Sequence, residues 1–236
     1  MSAKRLSDIL FIVKTNSMVY VKRRMEISYL GHSSFRIKGK NMTVVTDPYD
    51  EKTGKFPKDI EAQILTISHD HFDHNQKDRV KGEPFVINGP GEYEVGGVSV
   101  IGVPTFHDAQ GGKERGINAV YVIEIDGMRI AHMGDLGHKL SQEQLEEIGS
   151  IDVVMVPVGG VFTIDPKDAV EVVRQVDPWI VIPMHYRIEG DTFGKLATLE
   201  DFLKEIGKPD VLPIPKLVIS NDKLPEEMQV VVLERK

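Results

Sequence analysis

The sequence predicts a single mixed α/β domain, and three observations predict it. Short apolar runs rich in Val, Ile and Thr recur from Glu26 to Leu233, most of them bounded by Gly, Pro, Asn or Asp, the pattern of strands leaving a sheet. Three segments among them, near 141–148, 165–176 and 198–206, read as helices. No internal repeat, low-complexity tract or Pro/Ser linker divides the body, and 236 residues suffice for one sizeable layered core.

Taken in order, Glu26–Leu30, Ser34–Lys38 and Met42–Thr46 read as strands, the last two joined by a Gly39-Lys40-Asn41 hairpin turn. Asp50–Asp59 is polar, contains Gly54 and Pro57, and reads as a loop over one end of the sheet. Ala62–Ile67 is a buried strand, Pro84–Asn88 a further short one, and Gly89–Tyr93 a turn signal in which Glu92 and Tyr93 are as readily structural as functional. Val98–Val103 is the next strand, ended by Thr105–Asp108. The Gly-rich segment Ala109–Gly116 then reads as a loop at the mouth of a site, and Lys113, Glu114 and Arg115 read more readily as solvated loop charges than as substrate contacts. Ala119–Ile125 and Met128–Ala131 form a hairpin across Asp126-Gly127, a favoured two-residue turn.

Ser141-Gln142-Glu143-Gln144 is a capping box that opens a helix running to Ile148 and stopped by Gly149. Ile151–Val158 is apolar throughout, hence a strand buried on both faces, and Gly159-Gly160 turns the chain. Asp165 caps a second helix with Pro166 in its first turn and Val170, Val173 and Val176 inside. Trp179–Pro183 is a strand, Arg187–Lys195 a second mouth loop, Thr198–Ile206 a third helix and Val230–Leu233 a final strand.

The absence of Cys excludes disulfides and thiolate metal sites and fits a cytoplasmic protein. A net charge of −7 disfavours non-specific nucleic-acid binding, so no nucleic-acid partner is expected. Residues 1–24 carry six Lys or Arg against Asp8 alone, a net of +5 that leaves −12 for the remainder. They are expected to form a basic extension outside the domain of residues 25–236, with Met25 or Met18 as an alternative start. Their one apolar run, Ile9–Val13, is too short for a signal-peptide core or a membrane span, and no membrane association is expected. The sequence leaves a homo-oligomer open.

One stretch stands apart. Ser68-His69-Asp70-His71-Phe72-Asp73-His74 follows directly on a core strand, and five of its seven residues can ligate a metal. In an extended segment His69, His71 and Asp73 share a face, and a turn at Asp73-His74 would aim His74 at a second point nearby. A single loop His needs no explanation, but three His and two Asp in six residues are hard to explain without a metal. Imidazole and carboxylate donors suit zinc first, with manganese or iron as alternatives.

His69-x-His71-x-Asp73-His74 resembles the signature of the metallo-β-lactamase fold superfamily, over a region from about Met25 to the C-terminus. Gly31–Phe35, Thr46-Asp47-Pro48, Gly89–Tyr93, Gly134–His138 and Pro183–Tyr186 make the chain most similar to the branch of metal-dependent hydrolases that includes ascorbate-6-phosphate lactonase. The resemblance implies an αββα four-layer sandwich. It implies two divalent metal ions, the first held by His69, His71 and His107, the second by Asp73, His74 and His185, with Asp135 bridging. It also implies that Asp47 supports the ligands and that His138 lines the pocket. His32 is expected either as a turn residue or as a group at the metal pocket, with Asp73 as a further catalytic candidate. Asp108 is expected as local support and His132 as packed structure.

The function implied is a metal-dependent hydrolase using a metal-bridging hydroxide on an ester, lactone or related bond of a small-molecule substrate. The alternatives are a phosphodiesterase or nuclease of the same fold and a non-catalytic metal-binding module.

Overall fold

The computed structural model describes residues 24–188 and 195–236. The basic extension, apart from Arg24, and positions 189–194 of the second mouth loop lie outside the described residues. Among the described residues thirteen strands form two sheets. The first holds β1 (Met25–Gly31), β2 (Ser34–Lys38), β3 (Thr43–Thr46), β4 (Ile64–Thr66) and β5 (Phe85–Ile87). The second holds β6 (Gly91–Val95), β7 (Val98–Phe106), β8 (Ile117–Ile125), β9 (Met128–His132), β10 (Val153–Pro157) and β11 (Ile180–Met184). A short β12 (Leu217–Ile219) pairs with β1 at the edge of the first sheet, and β13 (Gln229–Val230) with β11 at the edge of the second. The helices are α1 (Gln142–Ile148), α2 (Pro166–Val176) and α3 (Leu199–Glu205). Among the described residues no helix is long and apolar enough to cross a membrane.

Alternation along the strands makes the layers. Val44 and Ile64 enter the large core between the sheets, where they join Ile27, Ile37, Val100, Ile123 and Ile130. Their neighbours Val45 and Leu65 point the other way, into a smaller cluster with Leu30, Tyr49, Phe56 and Ile60. The outer face of the first sheet is therefore covered by the polar-looking loop after β3, which turns Tyr49, Phe56 and Ile60 inward. The helices pack with the second sheet, α1 against β7 and α2 against β10 and α3. Both predicted caps are present. Ser141 and Gln144 exchange the two bonds of a capping box, and Asp165 accepts from the Asp168 N–H.

Register sets where the site can be. β1, β3 and β4 run parallel to one another in the first sheet, through antiparallel β2. β7, β9 and β11 do so in the second, through antiparallel β8 and parallel β10. Each sheet thus delivers several C-terminal strand ends to one side, and every candidate ligand follows one of them.

Four elements differ from expectation. Gly91–Val95 is a strand, β6, because the turn lies later, at Gly96-Gly97, whose φ values of +59° and +83° suit a tight hairpin. β7 runs on to Phe106 because β8 pairs with it as far as Ile117. The final strand is two residues, Gln229–Val230, and β12 is additional.

Candidate metal centre

The strand before the His-rich stretch ends at Thr66, so residues 68–74 are a compact series of bends rather than an extended segment. The turn closes when the His74 N–H donates to the His71 carbonyl at 2.9 Å and Asn75 adds a second bond at 3.1 Å. His69, His71 and His74 converge by this folding, not by strand alternation. Ring centroids lie 4.6 Å apart for His69–His71, 4.2 Å for His69–His74 and 4.5 Å for His69–His107. On the other side His32 sits 4.3 Å from His185 and 5.0 Å from His74.

Donor atoms within 4.8 Å of one another form three overlapping sets: His69, His71 and His107; His32, Asp73, His74 and His185; and His69, His74 and Asp135. Asp135 lies between them. Its Oδ2 is 3.3 Å from Nε2 of both His74 and His185, 3.4 Å from that of His107 and 4.0 Å from that of His69. Among the described residues, Nε2 of His69 and Oδ1 of Asp135 are buried with no hydrogen-bond partner. Buried polar atoms left this way are costly, and a cation is what such a donor set fits.

The electrostatics agree with that fit. Burial, reinforced by His74, lowers the His69 imidazole to about 3, so it is neutral and has a lone pair to give. Burial works against the charge on Asp135, but His185 and His74 outweigh it and hold the carboxyl well below its usual range. His74 moves the other way: burial disfavours its cation, yet Asp135, Asp73 and the bonds to Asp135 and Asp47 raise it well above the ordinary value.

A family profile described as the β-lactamase superfamily domain matches residues 26–185, which include every candidate ligand. The chain belongs to the β-lactamase superfamily. It is 32% identical over 212 residues to a UPF0173 metal-dependent hydrolase of Thermococcus onnurineus, covering 78% of this chain and 92% of the relative. A like-named hydrolase of Methanoculleus marisnigri is 31% identical over 206 residues, covering 77% and 88%. A crystal structure from Thermotoga maritima, classed as a candidate Zn-dependent hydrolase of the metallo-β-lactamase superfamily, superposes with a TM-score of 0.73 at 40% identity, covering 90% of this chain and all of that one. A metallo hydrolase from Ignicoccus hospitalis shares the fold at 19% identity, with a TM-score of 0.64 and coverage of 84% and 99%. The chain is a metal-dependent hydrolase with the metallo-β-lactamase fold.

In this superfamily member the candidate ligands are held from behind. Asp47, fully buried after β3, accepts from the Ser68 N–H at 2.8 Å, from the Ser68 hydroxyl, and from Nδ1 of His74 at 2.8 Å. With Nδ1 bonded in this way, Nε2 is the His74 nitrogen that faces the centre. The Ser68 hydroxyl also meets Nδ1 of His69 at 3.0 Å, so one carboxylate orients two imidazoles. Asn118 on β8 accepts the Asp135 N–H at 2.9 Å and donates to Thr105 and the Met133 carbonyl. The Tyr29 hydroxyl donates to the His32 carbonyl, which also accepts the His185 N–H, so these two His backbones are tied together. Gly159 passes so close to His185 that a Cβ there would lie 2.1 Å from its carbonyl oxygen. His32, Asp47 and His185 all have positive φ, at +54°, +38° and +54°.

Ser68, Asn118 and Tyr29 carry no motif. The only sequence signal for Asn118 is a polar residue beside the apolar run Ala119–Ile123.

The remaining expectations divide. Asp108 accepts four backbone N–H bonds, from Gln110, Gly112, Glu114 and Arg115, and so holds the mouth loop, as expected of local support. His132 is packed, its Nε2 bonded to the Ser33 carbonyl at 2.7 Å. His138 is not brought to the cluster. Its Nε2 accepts the Phe106 N–H at 3.1 Å, its Nδ1 bonds the Lys139 carbonyl at 2.7 Å, and it lines a separate cleft with Phe106 and Ser141. Gly137 causes the divergence. It packs against the His107–Asp108 backbone, where a Cβ would lie 2.3 Å from the Asp108 nitrogen, and its N–H bonds the Phe106 carbonyl.

Proposed function

We propose that the centre binds two divalent cations, zinc in the first place, and hydrolyses an ester, lactone or related bond of a small molecule. The observation that carries this reading is the single Asp135 Oδ2 lying 3.3–4.0 Å from four imidazole nitrogens. His69, His71 and His107 would hold one cation, Asp73, His74 and His185 the other, and Asp135 both. When bound, two such cations supply Lewis acidity and a water ionised near neutral pH. The chain's own groups do the rest. Asp47 fixes the tautomer of His74. His32, with Nε2 3.2 Å from Asp73 Oδ2, fixes Asp73, the carboxylate that would orient the attacking water. Burial and the neighbouring His185 lower His32 to about 4, so it stands neutral beside Asp73 near pH 7.

The mouth suits a small substrate: the cavity beside His71, Asp73 and Asp135 measures about 340 Å³. The net charge of −7 disfavours a polyanionic one.

Elemental analysis of the purified protein is expected to give two metal equivalents per chain. A chelator should abolish turnover in an esterase and lactonase panel, and zinc should restore it. Turnover of a nitrophenyl phosphodiester with no esterase or lactonase activity would replace this reading by the phosphodiesterase one. Two metals with a blank panel would favour a binding module, and substoichiometric metal would remove the dinuclear centre.

A further inference from the structure

The cavity over the centre has a floor of ligating groups and a rim of another character. Phe72 and Phe162 stand on the rim, 48% and 37% exposed. Among the described lining residues, Arg115 is the sole Lys or Arg. Of the charged run Lys113-Glu114-Arg115, it alone reaches the cavity.

It does so from a fixed backbone. Asp108 accepts the N–H groups of both Glu114 and Arg115, and the guanidinium lies 5.7 Å from the Phe162 ring centroid, within cation–π range. Its ion pair with Glu114, 3.3 Å long, is at the surface, and an exposed pair of this kind is weak and readily exchanged. A guanidinium fork held over a cavity matches the two oxygens of a carboxylate or phosphate.

We propose that Arg115 anchors an anionic group of the substrate, a carboxylate or a phosphate, while Phe72 and Phe162 flank its apolar body. The proposal rests on the hydrolase reading of the site and narrows it, to small esters or lactones that carry a negative charge beside the scissile bond. Arg115 is here a specificity residue, and the acidity of the protein as a whole makes one local cation the more selective.

The test uses zinc-loaded full-length protein, wild type, Arg115→Gln and Arg115→Lys. Two esters of matched size are compared, nitrophenyl butyrate and nitrophenyl hemisuccinate. Binding of phenylacetate and benzylphosphonate is measured in parallel by calorimetry. The wild type should favour the hemisuccinate by about tenfold or more in kcat/KM, through KM, since one charge-assisted contact is of that order. Arg115→Gln should bring the ratio close to one and weaken both probes about tenfold, with Arg115→Lys between. Tighter binding of the phosphonate would identify phosphate as the anchored group, and of phenylacetate a carboxylate. Should neither ester turn over while Arg115→Gln still weakens the probes, the ester reading fails and the anchor stands. Probe affinities equal in wild type and Arg115→Gln would overturn the anchor whatever the turnover.

Discussion

Asp135→Asn is expected to reduce bound metal from two equivalents per chain to one or fewer and to lower kcat/KM by about a thousandfold or more, because the Lewis acidity it removes is worth several kcal/mol. The substitution keeps the shape of the side chain and its backbone bond to Asn118, so the fold is retained. What it removes is charge. Asp135 Oδ2 faces imidazole nitrogens from both candidate triads, and an amide oxygen cannot share a negative charge between two cations. Elemental analysis beside steady-state kinetics reads both effects. Two equivalents of metal retained in the variant would show that the carboxylate does not bridge.

Asp47→Ala acts at one remove and has the second largest expected effect. It strips the acceptor from the Ser68 N–H, the Ser68 hydroxyl and the His74 Nδ1–H, all buried. Each orphaned donor costs about 1–3 kcal/mol, so the metal-free protein should lose several kcal/mol in denaturant unfolding. With His74 and His69 no longer oriented, metal affinity should fall about 10–100-fold in chelator competition. Unchanged metal-free stability together with unchanged affinity would defeat the assignment. The sign with pH is fixed as well. Burial opposes ionisation of Asp47, but His132 and the bonded His74 outweigh it and depress its carboxyl. A depressed carboxyl stabilises the fold above the unfolded value of about 3.9, and that contribution is lost as pH falls through the lower native value. The gap between wild type and Asp47→Ala should therefore narrow in acid.

What the sequence makes legible is what depends on residue type and close spacing. The stretch from His69 to His74 is dense enough in donors to announce a metal. His107, Asp135 and His185 follow strands whose apolar runs are plain. What is hidden depends on pairing at a distance. Ser68 meets Asp47 across 21 positions and Asn118 meets Asp135 across 17, and neither residue type is distinctive. β6 escapes because Glu92-Tyr93-Glu94 lies at the sheet edge and buries little, so no apolar alternation marks it. Tyr49, Phe56 and Ile60 sit among polar neighbours and reveal themselves as core only when the first sheet supplies the surface they cover. His138 shows the opposite error: three positions from Asp135, it is carried off by the turn at Gly137.

The candidate ligands are divided between the two halves of the molecule. His69, His71, Asp73 and His74 leave the end of β4, whereas His107, Asp135 and His185 leave β7, β9 and β11. Any ion gripped from both sides acts as a rivet through the seam, and prying the halves apart must first evict it. Folding and metal supply then become a single equilibrium: scarcity of the ion loosens the whole body, not merely its reactive corner.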